Sequence, residues 1–301
     1  MMGVSHAVSG MAAGAVAIPV VVSDLPPVEK IAFVVIVGGW ALWNDVDQGG
    51  IKNGSIHGST AARTWGPITA LMAAGIGKVA DGHRNGTHSF LGIAVFTLIA
   101  WLATVTPITS AILAALAIGL ALRAAAWLIP GRKEKVWIYN LTFSIIAAGI
   151  LTFGWTVPAR SFGFLPAEAG LPVNLSWTTP TFTIEPVTFA WMPIAVALGM
   201  LAHILGDMLT PERCPLFWPV WKKRFGIGLF TTSTPIEAFI VVPLLAAGMV
   251  FALAANGLLD SVLGAMQWAL GDQFAYGSSV AMIAIVFALL AWKEHAKATS
   301  V

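Results

Sequence analysis

The sequence predicts an all-α, polytopic integral membrane protein: a single membrane domain over 1–301, with about eight transmembrane helices and one re-entrant or interfacial segment. Three observations carry this expectation. Of the 301 residues, 57% are hydrophobic and only 10% are charged, whereas a soluble domain carries about a quarter charged residues. The mean hydropathy is +0.83. Apolar stretches also recur at the roughly 20-residue length that crosses a bilayer. So few charges cannot coat a water-facing surface, so lipid must cover most of it.

Taken in order, the expected spans are 7–22, 28–44, 88–107, 109–129, 136–157, 187–206, 236–256 and 278–293. The first is expected to be retained. Ala15-Val16-Ala17 resembles a signal-peptidase site, but Met1 to His6 holds no Lys or Arg for a basic n-region. Segment 64–80 is short and contains Pro67, Gly75 and Gly77. It is expected to dip into the interface and return, since broken backbone at membrane depth needs protein or water to cover it. Segments 158–186 and 257–277 read as connections. Between 28–44 and 64–80, Gly49 to Ser55 does not match a P-loop and reads as an ordinary loop.

Orientation follows from Lys and Arg in short loops. Arg132, Lys133 and Lys135 form one group, Lys222, Lys223 and Arg224 a second, and Lys293 and Lys297 the tail. Placing all three in the cytoplasm makes the intervening spans alternate correctly, and both termini then lie inside. Trp43, Trp127, Trp137, Trp218, Trp221 and Trp292 fall near the inner interface, and Trp155, Trp177 and Trp191 near the outer one, as an aromatic belt would. A formal charge of +2 without a long basic run excludes nucleic acid as a partner. A single cysteine, Cys214, excludes an internal disulfide and a thiolate metal cage.

Ionisable groups in or beside a membrane are costly and point to function. His6, His57, His83, His88 and His203 fall in one inferred layer, with Asp45, Asp47, Asp81 and Asp207. His203 and Asp207 are spaced i, i+4, so they share one helix face. A lone His at a helix end is ordinarily a hydrogen-bonded interfacial residue, and Asp-x-Asp is ordinarily an exposed turn. Here several segments deliver such groups to one depth. Nitrogen and oxygen ligands without sulfur suit zinc first, with manganese, iron or magnesium as alternatives. The ligands would suffice for two ions, which can clamp a displacement at phosphorus.

These residues resemble the motifs of the bacterial LexA-regulated, membrane-bound, metal-dependent hydrolase family. The family's early His followed by a small-residue helix is matched by His6 to Gly10, and its Asp-x-Asp motif by Asp45 and Asp47, with Ser55 downstream. Its His-Arg-Gly-x-Thr-His-Ser is matched by His83, Arg84, Thr87, His88 and Ser89. Its His-x-x-x-Asp-x-x-Thr is matched by His203, Asp207 and Thr210, with Pro219 beyond. The chain departs from the pattern at Asn44, Gln48, Asn85 and Glu212, and Gln48 stands where the family has a His.

The resemblance implies a divalent-metal hydrolase of the bacterial inner membrane. The expected first ligands are His6, Asp47, His88, His203 and Asp207, with His83 and Asp45 as further ligands or orienting groups. Asp45, Thr87 and Arg84 are assigned to catalysis, Arg84 holding the substrate anion. The expected substrate is a phosphoester of a lipid or amphiphile, and the expected partners are membrane lipids and a lipid-like or phosphorylated small molecule. The competing expectations are a transporter or proton-coupled carrier using the same cluster, and a non-catalytic interaction protein.

Overall fold

The computed structural model describes residues 3–126, 136–158 and 181–259. It is mostly helical. Helix α1 (Gly3–Val21) is followed by α2 (Pro27–Trp40) and a 3-10 turn, Trp43–Asp47. Strands β1 (Gly49–Lys52) and β2 (Ser55–Gly58), a second 3-10 turn (Ala61–Arg63) and α3 (Pro67–Val79) come next. A third 3-10 turn, Gly86–His88, leads into α4 (Phe90–Ala103), then α5 (Pro107–Ala125) and α6 (Val136–Phe153). Strands β3 (Trp155–Pro158) and β4 (Thr181–Ile184) precede α7 (Met192–Met208), and a π-helical turn, Glu237–Val241, leads into α8 (Val242–Ala255). The expected span 278–293 and the basic groups around 132–135 and 293–297 lie outside the described residues.

Four segments are long and apolar enough to cross a membrane: Gly3–Val21, Pro107–Ala125, Val136–Phe153 and Glu237–Ala255. The helices begin where the sequence supplies start signals. Pro occupies the first helical turn of α2, α3, α5, α7 and α8, where its missing N–H costs nothing. Ser89 caps α4 by accepting from Gly92 N at 3.1 Å, and Thr106 caps α5.

In the centre α2 packs against α1, α5 and α7, while α1 also meets α7 and α8, and α5 meets α6. Phe33, Ile36, Val37, Leu42, Trp43, Met192 and Met200 are buried there. Large apolar side chains also point outward: Leu98, Ile99 and Trp101 from α4, Phe143, Ile145 and Ile146 from α6, Leu244 and Phe251 from α8. Helices apolar on both inner and outer faces suit a lipid surround.

Three features differ from the sequence expectation. Gly49–Gly58 is a β-hairpin, pairing Ile51 with Ile56 and Lys52 with Ser55. Asn53 and Gly54 both have positive φ at its tip, as a two-residue type I′ turn requires, and Asn-Gly is the strongest short signal for one. Trp43 and Trp191 belong to the core rather than to an interfacial belt. Both are buried, and Trp191 Nε1 donates to Glu29 Oε1 at 2.8 Å. An indole N–H satisfied by a buried carboxylate gains nothing from a headgroup. Lastly, Gly75 and Gly77 do not break α3. At 13 residues α3 is about 20 Å long, against about 30 Å of hydrocarbon. It lies on the Trp43–Asp47 turn and on β1, and a Cβ at Gly77 would come within 2.7 Å of the Asp47 carbonyl oxygen. The glycine is what lets this helix sit on the site.

Candidate metal centre

Four segments converge beside that turn. The first turn of α1 brings His6, the 3-10 turn after α2 brings Asp45 and Asp47, the loop before α4 brings His83 to His88, and the last turns of α7 bring His203 and Asp207. His6, Asp47, His88, His203 and Asp207 are all buried. Local bonds hold the segments together: Asn44 Nδ2 donates to Thr87 O at 3.0 Å, Ser59 Oγ to Asp45 O at 2.7 Å, and Thr210 Oγ1 to Asp207 O at 2.7 Å.

Hydrogen bonds decide what each imidazole presents. His203 Nδ1 lies 2.6 Å from Ala41 O. A carbonyl only accepts, so Nδ1 carries the proton and Nε2 keeps its lone pair. The hydroxyl of Thr87 donates to Asp47 Oδ2, so its oxygen is left to accept from His88 Nδ1 at 3.0 Å. His88 Nε2 is thereby also left with a lone pair. In neutral rings these two Nε2 lone pairs face one another at 3.1 Å, a repulsion that a proton or a metal ion between them relieves.

Two carboxylate oxygens complete the group. Asp45 Oδ1 is 3.5 Å from His88 Nε2 and 3.6 Å from His203 Nε2. Asp207 Oδ2 is 3.6 Å and 3.5 Å from the same atoms. A tetrahedral ion with bonds of about 2.1 Å sets its ligands about 3.4 Å apart, and these five separations span 3.1–3.6 Å. These spacings suit donors that share a metal ion. Asp45, His88 and His203 form one possible ligand group, and His6, His203 and Asp207 a second. His6 stacks on His203 with ring centroids 3.6 Å apart, and its Nε2 is 3.3 Å from Asp207 Oδ1. Its Nδ1 is buried and makes no hydrogen bond among the described residues.

The charge balance agrees. Asp45, Asp47 and Asp207 face one permanent cation within the cluster, Arg84. Arg84 is also shared with Glu212, so with neutral imidazoles the carboxylates of the cluster outnumber its cation, an excess that a bound cation would offset. Burial would raise the Asp45 carboxyl, but with the imidazoles of His203 and His88 protonated in place of a metal their charge outweighs that and holds it well below the ordinary carboxylate range. Burial likewise opposes Asp47, yet His83, His88 and Thr87 bring it down to about 2. Both are therefore anions near neutrality.

The remaining residues are placed as follows. Asp47 is turned away from the four donors: its Oδ1 lies 2.9 Å from His83 Nδ1, and its Oδ2 accepts from Arg84 N at 3.1 Å. Arg84 adopts a left-handed backbone, φ 59°, held by that bond. The Arg84 guanidinium is shared between Asp207 Oδ2 at 3.4 Å and Glu212 Oε2 at 3.1 Å. Ser89 serves the α4 cap, and His57 stands exposed on β2, apart from the others. Asp81 pairs with Lys222 at 3.0 Å, tying the 81–88 loop to the basic segment after α7. Ala41 O, which sets the His203 tautomer, has no side-chain signal that sequence reasoning could have used.

Residues 1–296 match the family model described as YdjM inner membrane protein. Among curated relatives, the inner membrane protein YdjM of Escherichia coli K12 is 33% identical over 92 residues, 30% of this chain and 42% of that protein. The YdjM of Shigella flexneri matches equally. An uncharacterised protein, ORF4′, of Methanothermobacter thermautotrophicus is 24% identical over 151 residues, 47% of this chain and 58% of that protein. The chain thus spans less than half the length of the YdjM relatives that it matches. No solved structure matches.

Proposed function

We propose that this chain, which belongs to the YdjM inner membrane protein family, is a metal-dependent hydrolase acting at the cytoplasmic face on a phosphoester of a lipid-like or amphiphilic substrate. The observation that carries the reading is the pair of facing Nε2 atoms with Asp45 Oδ1 and Asp207 Oδ2 each 3.5–3.6 Å from both.

His88, His203, Asp45 and Asp207 would hold the ion, zinc first by their nitrogen and oxygen chemistry, and His6 stands ready at Asp207 for a second. When bound, the ion supplies Lewis acidity to a phosphoryl oxygen and to water. Asp47 acts through Thr87 to orient His88, and Ala41 does the same for His203, as partners on the second ring nitrogen do. Arg84 offsets the charge of Asp207. Support for an apolar substrate tail comes from a groove of about 700 Å³ between α3 and α4, walled by Ile76, Val95 and Trp218 and reaching Gly86 and Thr87 beside His88.

Protein stripped with EDTA and reloaded with zinc or manganese should release phosphate from lipid phosphoesters, and the rate should return to background on renewed chelation. Turnover indifferent to chelation, or a loaded protein inert across a broad phosphoester panel, would remove the hydrolase assignment.

Sidedness has its own test. Lys222 meets Asp81 and Arg224 meets Glu212 at the end of the bundle that carries the site, so the positive-inside rule assigns that end to the cytoplasm. A single cysteine at exposed Gln48, in a Cys214→Ser background, should react with an impermeant maleimide in inverted vesicles and not in spheroplasts. Labelling in spheroplasts would place the site on the opposite face.

A further inference from the structure

Beside the centre lies a polar cavity of about 270 Å³, lined by Asp45, Gln48, Ser59, Thr60, Arg63 and Arg123 among others. Its two guanidiniums come from separate elements, Arg63 from the 3-10 turn before α3 and Arg123 from the last turn of α5. Both side chains are half-buried. Among the described residues neither forms an ion pair, and Arg63 Nε is buried without a hydrogen-bond partner. Asp45 is the one acid among the cavity's lining residues, and its Oδ1 faces His88 and His203 rather than either guanidinium, so two like charges in a span-ending cavity are left without an ion-pair partner, which is costly. Arg84, by contrast, already has Asp207 and Glu212.

The cavity is also where the centre opens. The Asp45 side chain is 21% exposed, while His88, His203 and Asp207 are fully buried. The cavity thus brings the two arginines and the exposed edge of Asp45 into one space. Their planar forks match the oxygens of a phosphate, which accepts two parallel hydrogen bonds from each.

We propose that Arg63 and Arg123 form an anion-binding subsite that receives the phosphate group of a lipid phosphoester beside Asp45. The subsite rests on the hydrolase reading for its purpose but not for its detection. The cavity is small against the about 300–1,000 Å³ of ordinary ligand pockets, so it admits the headgroup and leaves the apolar tail outside.

The test uses full-length, metal-stripped protein in detergent, with inorganic phosphate as probe and binding read by calorimetry. Phosphate should bind the wild type. Arg63→Gln and Arg123→Gln should each weaken it at least about tenfold, the loss of one charge-assisted hydrogen-bonding group. Arg63→Lys and Arg123→Lys should retain more of the binding than the Gln variants. Zinc uptake, read separately, should stay at the wild-type level in all four, which reports that they fold. Phosphatidic acid in the micelle should displace the phosphate. Absence of phosphate binding in the wild type, or equal binding in the Gln variants, overturns the subsite. Failure of phosphatidic acid to compete overturns its assignment to a lipid headgroup. Loss of phosphate binding in the Gln variants, alongside an enzyme assay that finds no turnover, would leave the subsite standing and the hydrolase reading refuted.

Discussion

His203→Ala is expected to reduce zinc affinity by more than about 100-fold and to leave the purified protein essentially metal-free. His203 is the one residue shared by both possible ligand groups. Its Nε2 lies within 3.6 Å of His88 Nε2, Asp45 Oδ1 and Asp207 Oδ2, so the alanine removes a donor from the middle of the set. It also leaves Ala41 O without the N–H it accepts and removes one of the imidazoles beside Asp207. Asp47→Asn should act more gently. It touches no ion directly, but it disturbs the bond through Thr87 that fixes the His88 tautomer, and changes to such orienting partners cost about 10–100-fold in affinity. His57→Ala, on the exposed hairpin, is the control and should change nothing. Competition titrations with a chromophoric chelator resolve the three. Wild-type affinity in His203→Ala would show that the facing nitrogens hold only a shared proton.

The second large effect concerns the scaffold. Gly39→Ala should lower Tm by about 6–12 °C. A Cβ at Gly39 would stand 2.0 Å from the Ala117 carbonyl oxygen, and the obstacle is backbone, which no rotamer can move aside. The alanine must push α5 away from α2, the helix whose C-terminal end carries Asp45 and Asp47. Overpacking of this kind costs about 3 kcal/mol or more, and each kcal/mol is worth about 2–4 °C in a chain of this class of size. Gly149→Ala on α6 is the matched control, since its new methyl would meet nothing within 4 Å. Equal melting of the two variants would show that the α2–α5 approach is looser than the structure has it.

The sequence by itself determined the membrane class, because hydropathy is a property of composition and survives any arrangement of the helices. It determined that His203 and Asp207 lie together on one helix face, since an i, i+4 pair shares a face wherever the helix goes. It also brought His6, Asp45, Asp47 and the 83–88 segment onto one list, through the motifs they share with a known family.

Tertiary structure decided which donor faces which. Asp45 and Asp47 are spaced i, i+2 in a turn with about 3.0 residues per turn, so they point about 120° apart and do not serve one ion equally. Packing of α3 against that turn, allowed by Gly77, directs Asp45 to the imidazoles and Asp47 to His83 and Thr87. Arg84 lies among the motif residues, yet its charge is taken up by Asp207 and Glu212. Arg63 and Arg123 lie outside every motif and meet only because the turn before α3 and the end of α5 line one cavity. Spacing along a chain reports contacts within one helix. The distance between the ends of two helices depends on how close their backbones can approach, and here that is a matter of single glycines.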